Sequence, residues 1–136
     1  MKLDTGKLLC LGQPTREQLL QARDGGCTTV INLRMPGEFV EFDESAVVAD
    51  LGMRYVHIPV GGADGVTPEA ARKFADALRD AGDCQVIAHC ATANRVGALV
   101  AVAAWQDGDD PDTAIALGKQ AGLASLEPRV REVIAG

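Results

Sequence analysis

The sequence predicts an α/β fold: a parallel-rich sheet of four or five strands with helices on both faces. Three observations predict it. Short β-branched apolar segments alternate with amphipathic ones along the chain. The amphipathic segments open on helix-capping residues and close on glycine. No internal repeat, low-complexity tract or linker breaks the alternation, and 136 residues fit one domain, 1–136.

Leu8 to Leu11 is a short apolar run that ends in the turn Gly12-Gln13-Pro14. Thr15 with Gln18 three residues on reads as a capping box, and Leu19, Leu20 and Ala22 follow until Gly25-Gly26 stops the helix. Thr28 to Leu33 is β-branched and mostly apolar, a buried strand. A polar loop over 34–44 holds Pro36-Gly37, and Asp43 to Leu51 is a short helix ending at Gly52. Arg54 to Val60 is a further strand with Pro59 near its end, followed by the glycine-rich loop Gly61-Gly62-Ala63-Asp64-Gly65.

Thr67-Pro68-Glu69 supplies an N-cap, a proline at the first helical position and an acid in the first turn. Ala71, Phe74, Ala75, Leu78 and Ala81 then form one apolar stripe, and Gly82 ends the helix. Gln85 to Ala88 is a short buried strand leading into His89-Cys90. Arg95 to Trp105 is apolar nearly all round, the pattern of a central helix covered on most sides. Asp110-Pro111 and Ser125 open two more helices, the last with Leu126, Val130, Val133 and Ile134 facing inward.

Composition excludes several classes. Thirteen Lys+Arg against 19 Asp+Glu give a net charge of −6, which argues against a phosphate-backbone or anionic-membrane surface. The aromatic residues Phe39, Phe42, Tyr55, Phe74 and Trp105 form no platform for stacked bases, so neither nucleic acid nor membrane is an expected partner. The longest apolar run is roughly ten residues, half the roughly 20 that span a bilayer, and no signal-peptide pattern follows Met1. A cytoplasmic, reducing setting is expected. Cys10, Cys27 and Cys84 then read as small hydrophobes. Cys84 and Cys90 flank one extended strand, which argues against their pairing. With His57 and His89 alone and no Cys-x-x-Cys pair, no metal-ligand spacing is present, and no cofactor is expected.

The chemistry lies in Val86-Ile87-Ala88-His89-Cys90-Ala91-Thr92-Ala93-Asn94-Arg95-Val96-Gly97. A buried strand ends in a cysteine, a short turn of small residues follows, and an arginine stands at the mouth of a helix. Such a turn can wrap its N–H groups around one point, where the helix adds its positive end and Arg95 a planar fork for two oxygens. An arginine at a helix start is poorly placed against the dipole unless an anion is near. Cys90 at the rim of this ring would feel the same field, which favours the thiolate. A thiolate facing a bound phosphorus can attack in line and form a phosphocysteine that water later cleaves. The expected proton donor to the leaving oxygen is Asp64, because loops after parallel strands gather at one sheet edge. An aspartate in a glycine loop is as often a plain turn residue, and Glu38 or Glu69 are the alternative acids. This reading requires the main chain over 90–95 to curl around the sulfur and leave it open to solvent.

These segments resemble the cysteine-dependent protein tyrosine phosphatases, in particular compact dual-specificity-like members and the bacterial beta-lactamase-hydrolase-like subgroup. The resemblance runs along nearly the whole chain. It is carried by Gly12-Gln13-Pro14, Val30-Ile31-Asn32-Leu33-Arg34 with Gly37-Glu38, Tyr55-Val56-His57-Ile58-Pro59, and His89-Cys90 through Arg95-Val96-Gly97. It implies a dual-specificity-phosphatase-like fold and hydrolysis of a phosphorylated substrate, protein or small molecule. Cys90 matches the nucleophile, Arg95 the phosphate-binding arginine, Ala91, Thr92, Ala93 and Asn94 the amide cradle, Asp64 the general acid, and His89 the histidine before the nucleophile.

The sequence departs from that pattern in three ways. Four residues separate Cys90 from Arg95 where five are usual, no glycine lies between them, and Val96 replaces the usual hydroxyl residue, a part Thr92 could take. A loop of this size is also seen in single-domain rhodaneses, which carry sulfane sulfur as a cysteine persulfide. Leu33 to Phe39 echoes their pattern, although the Gly-His-Ile segment that should follow is absent. A phosphate-binding module without turnover is the third reading. Arg34 either faces the same sheet edge or pairs with Glu38, His57 reads as a satisfied core histidine, His89 as a residue that orients the cysteine loop, and Trp105 as core or subunit contact. Substrate identity and oligomeric state are not written in the sequence.

Overall fold

A computed structural model describes residues 6–37 and 42–135. Four strands, β1 (Leu8–Leu11), β2 (Cys27–Asn32), β3 (Arg54–His57) and β4 (Gln85–His89), form one all-parallel sheet in the order β1-β4-β2-β3. The helices among the described residues are α1 (Arg16–Asp24), α2 (Glu44–Asp50), α3 (Pro68–Asp80), α4 (Asn94–Gln106), α5 (Pro111–Gln120) and α6 (Glu127–Ala135). A single 3₁₀ turn, Ala63–Gly65, lies between β3 and α3. None of these helices is long and apolar enough to cross a membrane.

The layering follows from the strand order. The chain travels outward from β1 past β4 to β2 and on to β3, then turns back to β4. Parallel crossovers keep one hand, so opposite journeys must cross opposite faces of the sheet. Accordingly Leu19 of α1 and Val48 of α2 pack with Val30 and Ile87 on one face. Phe74 and Leu78 of α3, Leu99 of α4, Ile115 of α5 and Val130 of α6 pack with Ile31, Val86 and Ala88 on the other. Strand residues of both faces are buried, as expected for a parallel sheet with helices above and below.

Local signals explain most helix starts. The Thr15–Gln18 capping box is formed in both directions. Asp43 accepts from the Ala46 amide, Thr67 from the Ala70 amide and Asp110 from the Thr113 amide. Helix α4 is buried from Val96 to Ala104, and Trp105 is half-buried at its end.

Two boundaries differ from expectation by more than one residue. β3 ends at His57 rather than Val60, because Pro59 has no N–H to continue the ladder; the Ile58 and Val60 amides still bond Asn32 and Leu33 carbonyls, both at 2.9 Å. Helix α6 begins at Glu127, and the Ser125 hydroxyl, expected to open it, instead accepts from Asn94 Nδ2 at 2.8 Å. Two residues change character. Cys84 is exposed, beyond the start of β4, and is no core hydrophobe. His57 is exposed, although its Nε2 is satisfied 2.6 Å from the Arg34 carbonyl. Glu38 and Phe39 lie outside the described residues, so the Arg34–Glu38 pairing and the Glu38 acid fall there too.

Helices α4 and α5 meet at glycines. A Cβ on Gly97 would collide with the Leu123 amide nitrogen and stand 2.6 Å from the Gly118 carbonyl oxygen. The closeness fixes how α4, and hence the loop that opens it, sits against α5 and the turn before α6.

Candidate active site

Cys90 follows β4, one of the two strands flanked by neighbours on both sides. Its amide still bonds the Leu11 carbonyl at 3.4 Å, so the backbone keeps to the sheet as far as Cys90. Side chains alternate along a strand, which sends Cys90 to the same face as Ala88, into the α3–α4 core. Its exposure is 0%. The sulfur therefore lies at the floor of the loop and not at an open rim, a correction to the expectation from sequence that follows from this alternation.

Above it the loop is open. Ala91 and Thr92 are exposed, and Ala93 adopts φ 70°, the left-handed region, as N-cap of α4. An L-residue there costs about 1–2 kcal/mol. Glycine is the usual occupant, so the strain at Ala93 sits where the sequence lacks the expected loop glycine. Ala93 supplies no side-chain cap to α4. The main-chain N–H groups of Ala91, Thr92, Ala93 and Asn94 donate to no acceptor among the described residues. These are donors at the start of a 13-residue helix, where the macrodipole favours negative charge. The Asn94 side chain faces elsewhere: it donates to Ser125 Oγ and accepts from the Ala124 amide at 2.8 Å, tying α4 to the turn before α6.

Arg95, half-buried, donates through Nη1 to the Val60 carbonyl at 2.7 Å. Val60 is the last residue before the glycine-rich loop, so the guanidinium joins the cysteine loop to the loop that carries Asp64. At the far end Arg129 of α6 donates through Nε to the Val66 carbonyl at 3.2 Å. The segment between these two clamps holds Asp64 exposed in its 3₁₀ turn. It lines a shallow groove with Met35, Pro59 and Gly61–Gly65. Asp64 and Cys90 thus follow strands that end on the same edge of the sheet, as the parallel topology requires. Glu69 lies in the first turn of α3, exposed.

Beneath the loop is a buried polar chain that sequence reasoning missed. His89 is 0% exposed and its Nε2 stands 2.6 Å from Glu44 Oε2; Glu44, at the start of α2, is 5% exposed. Glu44 Oε1 accepts from Gln13 Nε2 at 2.7 Å. An acid at position 44 reads in sequence only as a first-turn partner of its helix, and nothing local signals a partner 45 residues away. Cys10 likewise reads in sequence only as a hydrophobe. It is half-buried on β1 and packs on the same core as Cys90; burial first, and then the nearby Cys90, push its thiol up to about 11. Burial likewise raises Tyr55, opposed by the hydrogen bond from Asn32 Nδ2 at 2.8 Å. Among the described residues no group of three or more His, Cys, Asp or Glu is placed to hold a metal ion.

No protein-family model matches the sequence, and no curated protein matches it. Solved structures do. A candidate phosphatase (DUF442) of Shewanella putrefaciens CN-32 is 22% identical over 98% of this chain and 85% of its own, with a TM-score of 0.72. A candidate phosphatase of Neisseria meningitidis Z2491 is 24% identical over 98% of this chain and 94% of its own, with a TM-score of 0.70. P. aeruginosa TpbA, solved in complex with phosphotyrosine, is 17% identical over 95% of this chain and 78% of its own, with a TM-score of 0.65. The four-stranded parallel sheet, the helices on its two faces and these likenesses together give the chain the cysteine-phosphatase fold of the tyrosine- and dual-specificity-phosphatase-like proteins.

Proposed function

We propose that this chain hydrolyses phosphate monoesters through a phosphocysteine on Cys90. The observation that carries the reading is the loop over 91–94: four successive N–H groups without an internal acceptor, at a helix start, above a cysteine and next to an arginine. That arrangement suits an oxyanion. The amides of Ala91 to Asn94 and the Arg95 fork hold the phosphate oxygens. The Cys90 thiolate attacks phosphorus; the S–P bond forms as the P–O bond to the leaving group breaks, and that oxygen takes the proton of the Asp64 carboxyl group. Asp64, now a carboxylate, takes a proton from water as the water oxygen attacks phosphorus. The S–P bond breaks, phosphate leaves and the thiolate returns. Cys90 is 0% exposed, so the openness to solvent that this reading requires is not met in this structure, and the reading stands only if the residues packed over the sulfur move to admit substrate.

The test is phosphate release from an aryl phosphate. Wild type turns over, Cys90→Ser does not, and Asp64→Asn lowers kcat by about 10²–10⁴-fold. Absence of turnover, or turnover that survives Cys90→Ser, refutes the reading. The four-residue loop, one residue short of the phosphatase spacing, favours a second reading, sulfur transfer through a Cys90 persulfide. Thiocyanate formed from thiosulfate and cyanide, without phosphate release, would establish it. Oxyanion binding without either turnover would mark a binding module.

A further inference from the structure

The chain Gln13–Glu44–His89 brings together three segments that the proposed chemistry does not use. Gln13 belongs to the turn after β1, Glu44 begins α2, and His89 is the last residue of β4, one before Cys90. The two links are short, 2.7 Å and 2.6 Å, and Glu44 and His89 are almost wholly buried. A carboxylate withdrawn from water is costly, and an apolar residue at position 44 would extend the Val48 cluster without that cost. The pair is therefore poorly explained as a source of stability alone.

The pairing selects a tautomer when Glu44 is a carboxylate. A carboxylate oxygen only accepts, so His89 Nε2 then carries the hydrogen and donates to Glu44. Gln13 sets the carboxylate by donating to its other oxygen. With Nε2 committed, the buried Nδ1, which has no partner among the described residues, is the ring's remaining polar position, and His89 joins the cysteine loop through its own backbone, one residue before Cys90. We propose that Glu44 and Gln13 are positioning residues: they lock the ring orientation and tautomer of His89, and through it hold the turn that presents Cys90. The inference rests on Cys90 being the reactive group of the proposed function, yet its test does not need turnover.

Glu44→Gln separates geometry from charge. Its amide oxygen can accept from His89 Nε2–H, and its NH₂ can donate to Gln13 Oε1, which is buried and without a partner among the described residues. Glu44→Ala removes both links. Two readouts are followed on folded protein: the His89 ring by long-range ¹H–¹⁵N correlation, and the rate of Cys90 carboxymethylation by iodoacetate, read by peptide mass. Wild type and Glu44→Gln should show one Nε2-protonated tautomer and Cys90 rates within threefold of each other. Glu44→Ala should lose the single tautomer and change the Cys90 rate at least tenfold. If Glu44→Ala does not fold, Gln13→Ala is read instead, with a change of at least threefold expected. Should the folded variant keep both the wild-type tautomer and a Cys90 rate within twofold of wild type, the inference falls. Where aryl phosphate is also turned over, Glu44→Ala should lower kcat with KM within twofold. Failure of turnover in wild type would refute the phosphatase reading and leave the two spectroscopic and chemical readouts standing.

Discussion

The sharpest test of the loop geometry is a single methyl group at Gly12. This residue follows β1 and lies under the first peptide of the cysteine loop. A Cβ on it would stand 2.8 Å from the Ala91 carbonyl oxygen, with the Ala91 carbonyl carbon at 3.6 Å and Thr92 Cα at 3.8 Å. All three neighbours are backbone, so no side chain can rotate aside. An ordinary contact begins near 3.4 Å, and the peptide must retreat by about 0.6 Å. Misplacement of about 1 Å at a reacting centre costs about 10²-fold. A displacement of 0.6 Å therefore predicts roughly a tenfold loss of kcat in Gly12→Ala. The stability cost should be modest, about 1–2 kcal/mol, since Gly12 is half-exposed and the loop above it faces solvent. Aryl phosphate kinetics and thermal unfolding measure the two effects. Wild-type kcat in a folded Gly12→Ala protein would show that the Ala91 peptide does not form part of the anion site, and the reasoning would fail.

Further expectations follow from the same geometry. Gly97→Ala drives a methyl group into the Leu123 amide and the Gly118 carbonyl, and wedges apart their 2.8 Å hydrogen bond. The loss should reach about 3–5 kcal/mol, read as a lower denaturant midpoint; a midpoint equal to wild type would contradict the close α4–α5 approach. Arg129→Met releases the Val66 carbonyl and loosens the Asp64 loop, so kcat should fall about two- to fivefold for aryl phosphates with poor leaving groups and less for good ones; equal loss for both would deny the link to proton donation. Cys10 titrates near 11 folded against 9.0 unfolded. A thiol raised in this way adds stability that is complete below pH 9 and is lost as pH climbs through 11. Wild type should therefore lose more stability than Cys10→Ala between pH 9 and 11 in denaturant melts, and equal losses would contradict the burial of this thiol.

Helix starts were legible because their causes are local. Thr15 with Gln18, Thr67 before Pro68 and Asp110 before Pro111 each satisfy amides within three residues and open their helices as read, and Asp43, read only as the first residue of its helix, caps α2. The alternation of strand and helix patterns likewise foretold a parallel sheet, since parallel strands need crossovers. What the sequence did not show depends on distant partners. Ser125 reads as a helix opener until Asn94, 31 residues away, claims its hydroxyl. Glu44 looks like a dipole partner until the fold sets His89 beside it. The closed position of Cys90 depends on which way its side chain turns after β4, a matter of strand register that the motif from His89 to Arg95 does not encode.

The strand order has a consequence for how the chain assembles. β4 is the last strand made, yet it stands between β1 and β2. Until residues 85–89 have emerged from the ribosome, β1 has no neighbour to bond, and β2 offers one bare flank to any passing strand. Sheet completion is thus an insertion event and must await contacts more than 70 residues apart, such as Leu8 with Val86. Loop closure of that length is slow, and the unpaired flank is exposed to aggregation in the meantime. The same late segment ends at Cys90, so the nascent chain acquires its central β-ladder and its reactive sulfur together.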